Sequence, residues 1–251
     1  MLASNAGFLA IAIPAVIFAG VSKAGFGSGA AFAAAAILAL YLDPGQALGV
    51  MLPILMLIDA ATLRPYWNRW NWADARLLIL GAVPGVALGA ALYRVAPPDT
   101  IRLLIGAISI AFVAWQVAQR TGYLRPPSRR LPPRAGLAAG VATGFTSFVS
   151  HAGGPPATVY MLSQKLSKTE YQATTVLVFW AVNIAKFIPY AWLGLFTAET
   201  ALADLVLAPF ALLGAWGGVV AHRLVPERAF FTLTYVLLAL TGAKLIFDAM
   251  T

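Results

Sequence analysis

The chain is interrupted by charge so rarely that long stretches are almost free of it: Ala30 to Leu42, Gln46 to Leu63, Leu77 to Leu92 and Thr100 to Ala118, with similar stretches continuing to the C-terminus. Several approach the roughly 20 residues that carry an α-helix across a hydrocarbon core. Only 10% of the 251 residues are charged and the mean hydropathy is +0.82, whereas soluble domains carry about a quarter charged residues. No water-soluble surface can be built from so few charges. The expected fold is an all-α polytopic membrane protein with the lipid bilayer as its solvent.

The same composition excludes several function classes. Cysteine is absent, which removes disulfides, thiolate catalysis and cysteine metal sites. His151 and His222 are too far apart in sequence to suggest a metal site, so neither metal nor cofactor is expected. The formal charge of +8 could point to nucleic acid in a soluble protein. Here most Lys and Arg fall in short loops beside apolar spans, a pattern that signals topology, and no nucleic-acid partner is expected. The N-terminal segment has no basic n-region and no small-residue cleavage site, so a removed signal peptide is not expected.

Sliding the sequence along itself gives a gap-free match at an offset of 129 residues: Gly25 falls on Gly154, Gly85 on Gly214, Gly89 on Gly218, Arg94 on Arg223 and Pro97 on Pro226. A duplicated transporter repeat is the architecture this pattern fits. The expected division is a first membrane repeat over 1–119, a basic Pro-rich cytoplasmic linker over 120–134 and a second repeat over 135–251. Each half divides into five apolar pieces: about 7–22, 29–42, 46–63, 77–95 and 100–119, then about 135–150, 156–166, 171–193, 201–223 and 229–248. The first two of each half are short for a ~30 Å core and read as a re-entrant or broken hairpin. Whether a hairpin crosses twice or not at all, three further spans make the count per half odd, so the repeats must be inverted. The positive-inside rule then places the linker in the cytoplasm and both termini outside. The linker itself (RTGYLRPPSRRLPPR) reads as a topology-setting tether, with lipid head-group binding as an alternative. Gly81, Gly85 and Gly89 form a small-residue face that permits a homodimer without requiring one.

Two glycine-rich breaks occupy equivalent places, SKAGFGSG from Ser22 to Gly29 and SHAGGPP from Ser150 to Pro156. Gly and Pro there free backbone N–H and C=O groups, tolerated at membrane depth only against protein or a wet cavity. Inversion would bring the two tips together near the midplane, with helix N-termini at Gly29 and Pro156 aimed at the meeting place. Lys23 and His151 adjoin the breaks, and an ionisable group inside a membrane is by default a functional hypothesis. Cations, helix N-termini and free donors make a site for a small anion. The candidate binding residues are Ser22, Lys23, Gly25, Gly27, Ser28, Gly29, Ser150, His151, Gly153, Gly154, Pro155, Asn183 and Lys186. Lys23 could instead snorkel to an interface, and the serines could bond their own helices. Asp59 either pairs with Lys186 or carries a coupling proton, a role His151 could share; alternatively Asp59 and Lys186 lie near wet span ends.

The SKAGFGSG break, the mirrored TGFTSFVSHAGGPP segment from Thr143 to Pro156 and the two similar halves resemble the TauE/SafE sulfite exporter family, also called the toluene sulfonate uptake permease family. The resemblance implies a bacterial inner-membrane secondary carrier of small anions, with sulfite, sulfoacetate and other organosulfonates as family substrates; alternating access about the pseudo-two-fold is the expected mechanism, export the expected direction since an anion leaves a negative interior favourably, and no enzymatic activity is expected. Ser28 and Ala30 flank Gly29 where the family pattern has more glycine, which leaves the substrate within the family open. A passive anion channel, a carrier of small carboxylates, an intramembrane Ser/His enzyme and a membrane scaffold are the competing readings. The enzyme reading lacks a carboxylate in the same span to orient His151.

Overall fold

The computed structural model describes the backbone of residues 2–26, 29–124 and 129–251, and their side chains except at 29, 219–224 and 227. Gly27 and Ser28, residues 125–128 of the linker and the His222 side chain lie outside the described residues. Each apolar piece becomes a helix: α1 Ala6–Gly25, α2 Phe32–Leu38, α3 Pro44–Leu63, α4 Trp72–Val95, α5 Pro98–Arg120, α6 Pro133–Ser150, α7 Gly154–Ser163, α8 Lys168–Trp192, α9 Ala198–Leu224 and α10 Glu227–Met250. No strand occurs among the described residues.

Polar residues between the apolar runs start these helices. Asn5 Oδ1 accepts from the Phe8 amide at 3.0 Å to cap α1, and Asn71 Oδ1 accepts from Asp74 at 3.1 Å to cap α4. Ser167 and Glu170 form a reciprocal capping box on α8, and prolines whose missing N–H costs nothing there open α3, α5 and α6.

Among the described residues, seven helices are long and apolar enough to cross a membrane: α1, α3, α4, α5, α8, α9 and α10. α1 is longer than its apolar piece suggested. It runs 20 residues, about 30 Å, because the charge of Lys23, where hydropathy alone would end the span, is met inside the protein. The short elements are α2, with seven residues behind a 3-10 turn at Gly29–Ala31, and α7, with ten.

The two most closely packed helix pairs are α4 with α6 and α1 with α9, so each half's first helix lies on the other half's fourth. Glycine makes both crossings possible. A Cβ on Gly25 would sit 2.4 Å from the Gly218 carbonyl oxygen, and one on Gly214 2.4 Å from that of Ile17; Gly85 would meet Val141 O at 2.1 Å and Gly144 would meet Ala82 O at 2.2 Å. Gly85 and Gly214, matched by the internal offset, thus do the same work in the two halves. This corrects one expectation. Gly81, Gly85 and Gly89 are not an outer face, because α6 covers them at Leu137, Val141 and Phe148.

Two sets of contacts define the ends of the bundle. At one, the Tyr41 hydroxyl just past α2 donates to Asn5 Oδ1 at 3.1 Å, bringing the chain back to where α1 begins, and the Leu2 amide donates to Glu199 at the start of α9. At the other, Gln164 Nε2 donates to the Leu131 carbonyl and Leu131 N to Ser163 Oγ, so α7 ends where α6 begins. We call these the terminal end and the linker end.

Candidate functional site

Four ionisable side chains gather where α1, α3, α6 and α8 meet, Asp59, His151 and Lys186 buried and Lys23 partly so. Asp59 on α3 is 1% exposed, and its carboxylate is held on both oxygens: Lys23 Nζ, from the last turn of α1, donates to Oδ1, and Asn183 Nδ2 on α8 donates to Oδ2 at 2.6 Å. One helical turn beyond Asn183, Lys186 is 0% exposed. Its Nζ donates to the Ser147 carbonyl at 3.1 Å and lies 2.8 Å from His151 Nδ1, while His151 Nε2 lies 3.3 Å from the Leu48 carbonyl. His151 occupies the left-handed region at φ 58°, ending α6 and turning the chain toward α7.

Aspartate 59 therefore pairs with Lys23 and not with Lys186, and neither Asp59 nor Lys186 lies at a wet span end. Lys23 does not snorkel to lipid, because the carboxylate holds it. The Ser150 hydroxyl donates to the Thr146 carbonyl of its own helix at 2.9 Å, as serines in membrane helices commonly do. Ser22 is buried; Gly29 opens the 3-10 turn, and Gly153 packs against Ser147 and Phe179.

A cavity of about 1020 Å3 opens at the linker end and reaches down to this cluster. Lys23, Gly25 and Phe26 from the first break and Gly154 and Pro155 from the second line its floor together, so the breaks converge on one space; the turn at Gly29–Ala31 also touches α7. Its walls carry Thr62, Gln116, Gln119, Thr158, Lys168, Gln172 and Thr175 among the aromatic rings of Tyr66, Phe112, Trp115, Tyr171, Phe179, Trp216 and Phe231. A crevice of about 20 Å3 continues from Lys23 to Asp59 past Gln172 and Thr175. These wall residues were not foreseen. The available signal was the spacing Gln172, Thr175, Phe179, Asn183, Lys186, Tyr190, one face of α8 repeating every three or four residues.

On the side of the cluster toward the terminal end, aromatic rings pack against one another. The Tyr190 hydroxyl donates to the Phe148 carbonyl at 2.6 Å, with the two rings 4.8 Å apart and nearly perpendicular. Phe196 packs on Tyr190 and Tyr93 on Phe148. A separate depression of about 360 Å3 lies at that end, between Tyr41, Asp43, Arg102 and Asp248.

A family model described as sulfite exporter TauE/SafE matches residues 12–245. The chain belongs to the TauE/SafE family. The match spans both glycine-rich breaks, so the residues on the cavity floor fall inside it. No curated protein and no solved structure matches the chain significantly. The TauE/SafE assignment makes this a multi-pass helical protein of a transporter family.

Proposed function

We propose that the protein is a secondary carrier that exports small sulfur-containing anions, such as sulfite, sulfoacetate or other organosulfonates, from the bacterial cytoplasm by alternating access. The observation that carries this reading is electrostatic: among the described residues, Lys23 and the wholly buried Lys186 share a single buried carboxylate at the cluster, Asp59. Lys23 already holds that carboxylate, so a charged Lys186 has no counter-ion of its own; an unpaired charge at membrane depth would cost about 2.5 kcal/mol or more, and a monoanion on the cavity floor supplies the missing partner. Sulfite and sulfonates offer an oxygen cluster that Lys23 and nearby hydroxyl and amide donors can hold without a metal.

Alternating access accounts for a cavity at one end and aromatic packing at the other. Two inverted repeats, 1–119 and 135–251 with 120–134 between them, account for the rest. Their support is the exchange of first helices across the halves, and the return of α2 to the start of α1 at one end and of α7 to the start of α6 at the other. These returns make each α-hairpin re-entrant in our reading. With the basic linker in the cytoplasm, the open cavity faces the cell interior and both termini face outside.

The test is flux in proteoliposomes with sulfite, sulfoacetate, other sulfonates, sulfate and carboxylates. Saturable uptake with counterflow for sulfite or a sulfonate is the expected result. Unsaturable flux without counterflow would make the protein a channel, and carboxylate preference would move the substrate class.

A further inference from the structure

Resting on that reading, we infer that Lys186 carries a coupling proton, which it binds together with the anion and gives up when the site empties. A carbonyl can only accept, so His151 Nε2, facing Leu48 O, bears the imidazole hydrogen. His151 Nδ1 is then an acceptor, 2.8 Å from Lys186 Nζ. With the Ser147 carbonyl, Nζ has two acceptors, which matches the two N–H groups of a neutral amine. The third N–H of an ammonium has no acceptor among the described residues. It is the one a substrate anion would take.

Charge balance leads to the same place. The groups acting on Lys186 are Lys23 from α1, Asp59 from α3 and His151 at the end of α6; Tyr190 on α8 gives its hydroxyl to Phe148 O, and Tyr93 of α4 stands behind Phe148. Lys23 and Asp59 cancel and His151 is neutral, so the empty site is uncharged only with Lys186 as the amine. The loaded site with a monoanion is uncharged only with Lys186 as the ammonium. Both uncharged states avoid an uncompensated buried charge. The proton comes from cavity water to the Nζ lone pair, along the α8 face from Phe179 past Asn183 to Lys186, about 10 Å, once the anion opens the Lys23–Asp59–Asn183 tie. It leaves on the opposite side after the anion does. One proton then accompanies one anion, no net charge crosses, and export runs only while the outward anion gradient exceeds the inward proton gradient.

The probe is methanesulfonate, which stays ionised at working pH and brings no proton of its own. In proteoliposomes with a luminal pH dye, inward methanesulfonate flux by the wild type should acidify the lumen by one proton per anion, and a potassium–valinomycin potential should not change the rate. K186R, permanently charged, should keep anion-for-anion exchange, which also shows it is folded, yet lose net flux and acidification at least tenfold. K186M should lose both modes while eluting as a folded species. Wild-type flux that moves no proton and follows the imposed potential overturns the assignment, as does proton-coupled net flux in K186R. A wild type that moves neither methanesulfonate nor sulfite, even in exchange, overturns the carrier reading itself.

Discussion

The side-chain amide of Asn183 donates to Asp59 at 2.6 Å on the carboxylate oxygen that Lys23 leaves vacant, tying α8 to α3 at the cavity floor. Both oxygens of a carboxylate that is 1% exposed are thereby satisfied. Losing one partner leaves a buried acceptor bare, which costs about 1–3 kcal/mol. Asn183→Leu should therefore lower the melting temperature in detergent and reduce flux, whereas Asn183→Gln, which keeps the donor, should recover part of both. Equal stability of the leucine and wild-type proteins would show that the tie carries no energy.

Lys23 can be separated from its structural role by a double substitution. Lys23→Ala strands Asp59, and breaking a buried pair typically costs about 3–5 kcal/mol; the partial exposure of Lys23, 15%, puts the expectation at the lower end. Adding Asp59→Asn removes the stranded charge and should restore thermal stability. Sulfite or sulfonate flux should remain absent in both variants. Transport by the stable double variant would remove Lys23 from the substrate path.

The helix crossings give a prediction with an internal control. A side chain at Gly214 must displace the backbone of α1 at Ile17, while Gly217, three residues on, has nothing within 4 Å of an added Cβ. Gly214→Leu should cost at least the 1–3 kcal/mol of an overpacked core and lower the yield of monodisperse protein. Gly217→Ala should be neutral or slightly stabilising. Size-exclusion profiles and thermal shifts of the pair decide the point.

Orientation is open to direct labelling, because the natural chain has no cysteine. A single cysteine at Tyr123, 90% exposed within the linker, should react with an impermeant maleimide only in inside-out vesicles. One at the exposed Thr251 should react only in right-side-out cells. Labelling of both from the same side would put the termini and the linker together and refute the inverted arrangement.

Much of the architecture was legible because its signals are local. Hydropathy marks α3, α4, α5, α8, α9 and α10, and the glycine and proline runs mark where α1 and α6 break. Pairings across the bundle were not legible. Lys23 and Asp59 are 36 residues apart, and nothing in either neighbourhood says which faces of α1 and α3 meet. Asp59, five residues before Arg64, has the look of a span-end residue until α8 covers it. Gly81, Gly85 and Gly89 show only that something comes close; sequence could not say whether that partner was another chain or, as found, α6. The polar face of α8 was readable from Gln172, Thr175, Asn183 and Lys186, since their spacing alone aligns them.

With α1 lying on α9 and α6 lying on α4, the two halves are interleaved like clasped hands. Neither can be excised as an independent folding unit, since removing one strips the bare glycine backbone of the other's outer helix. Severing the covalent chain between α5 and α6 is a much milder injury: the severed pieces, made together, keep every one of these crossings and should find each other again.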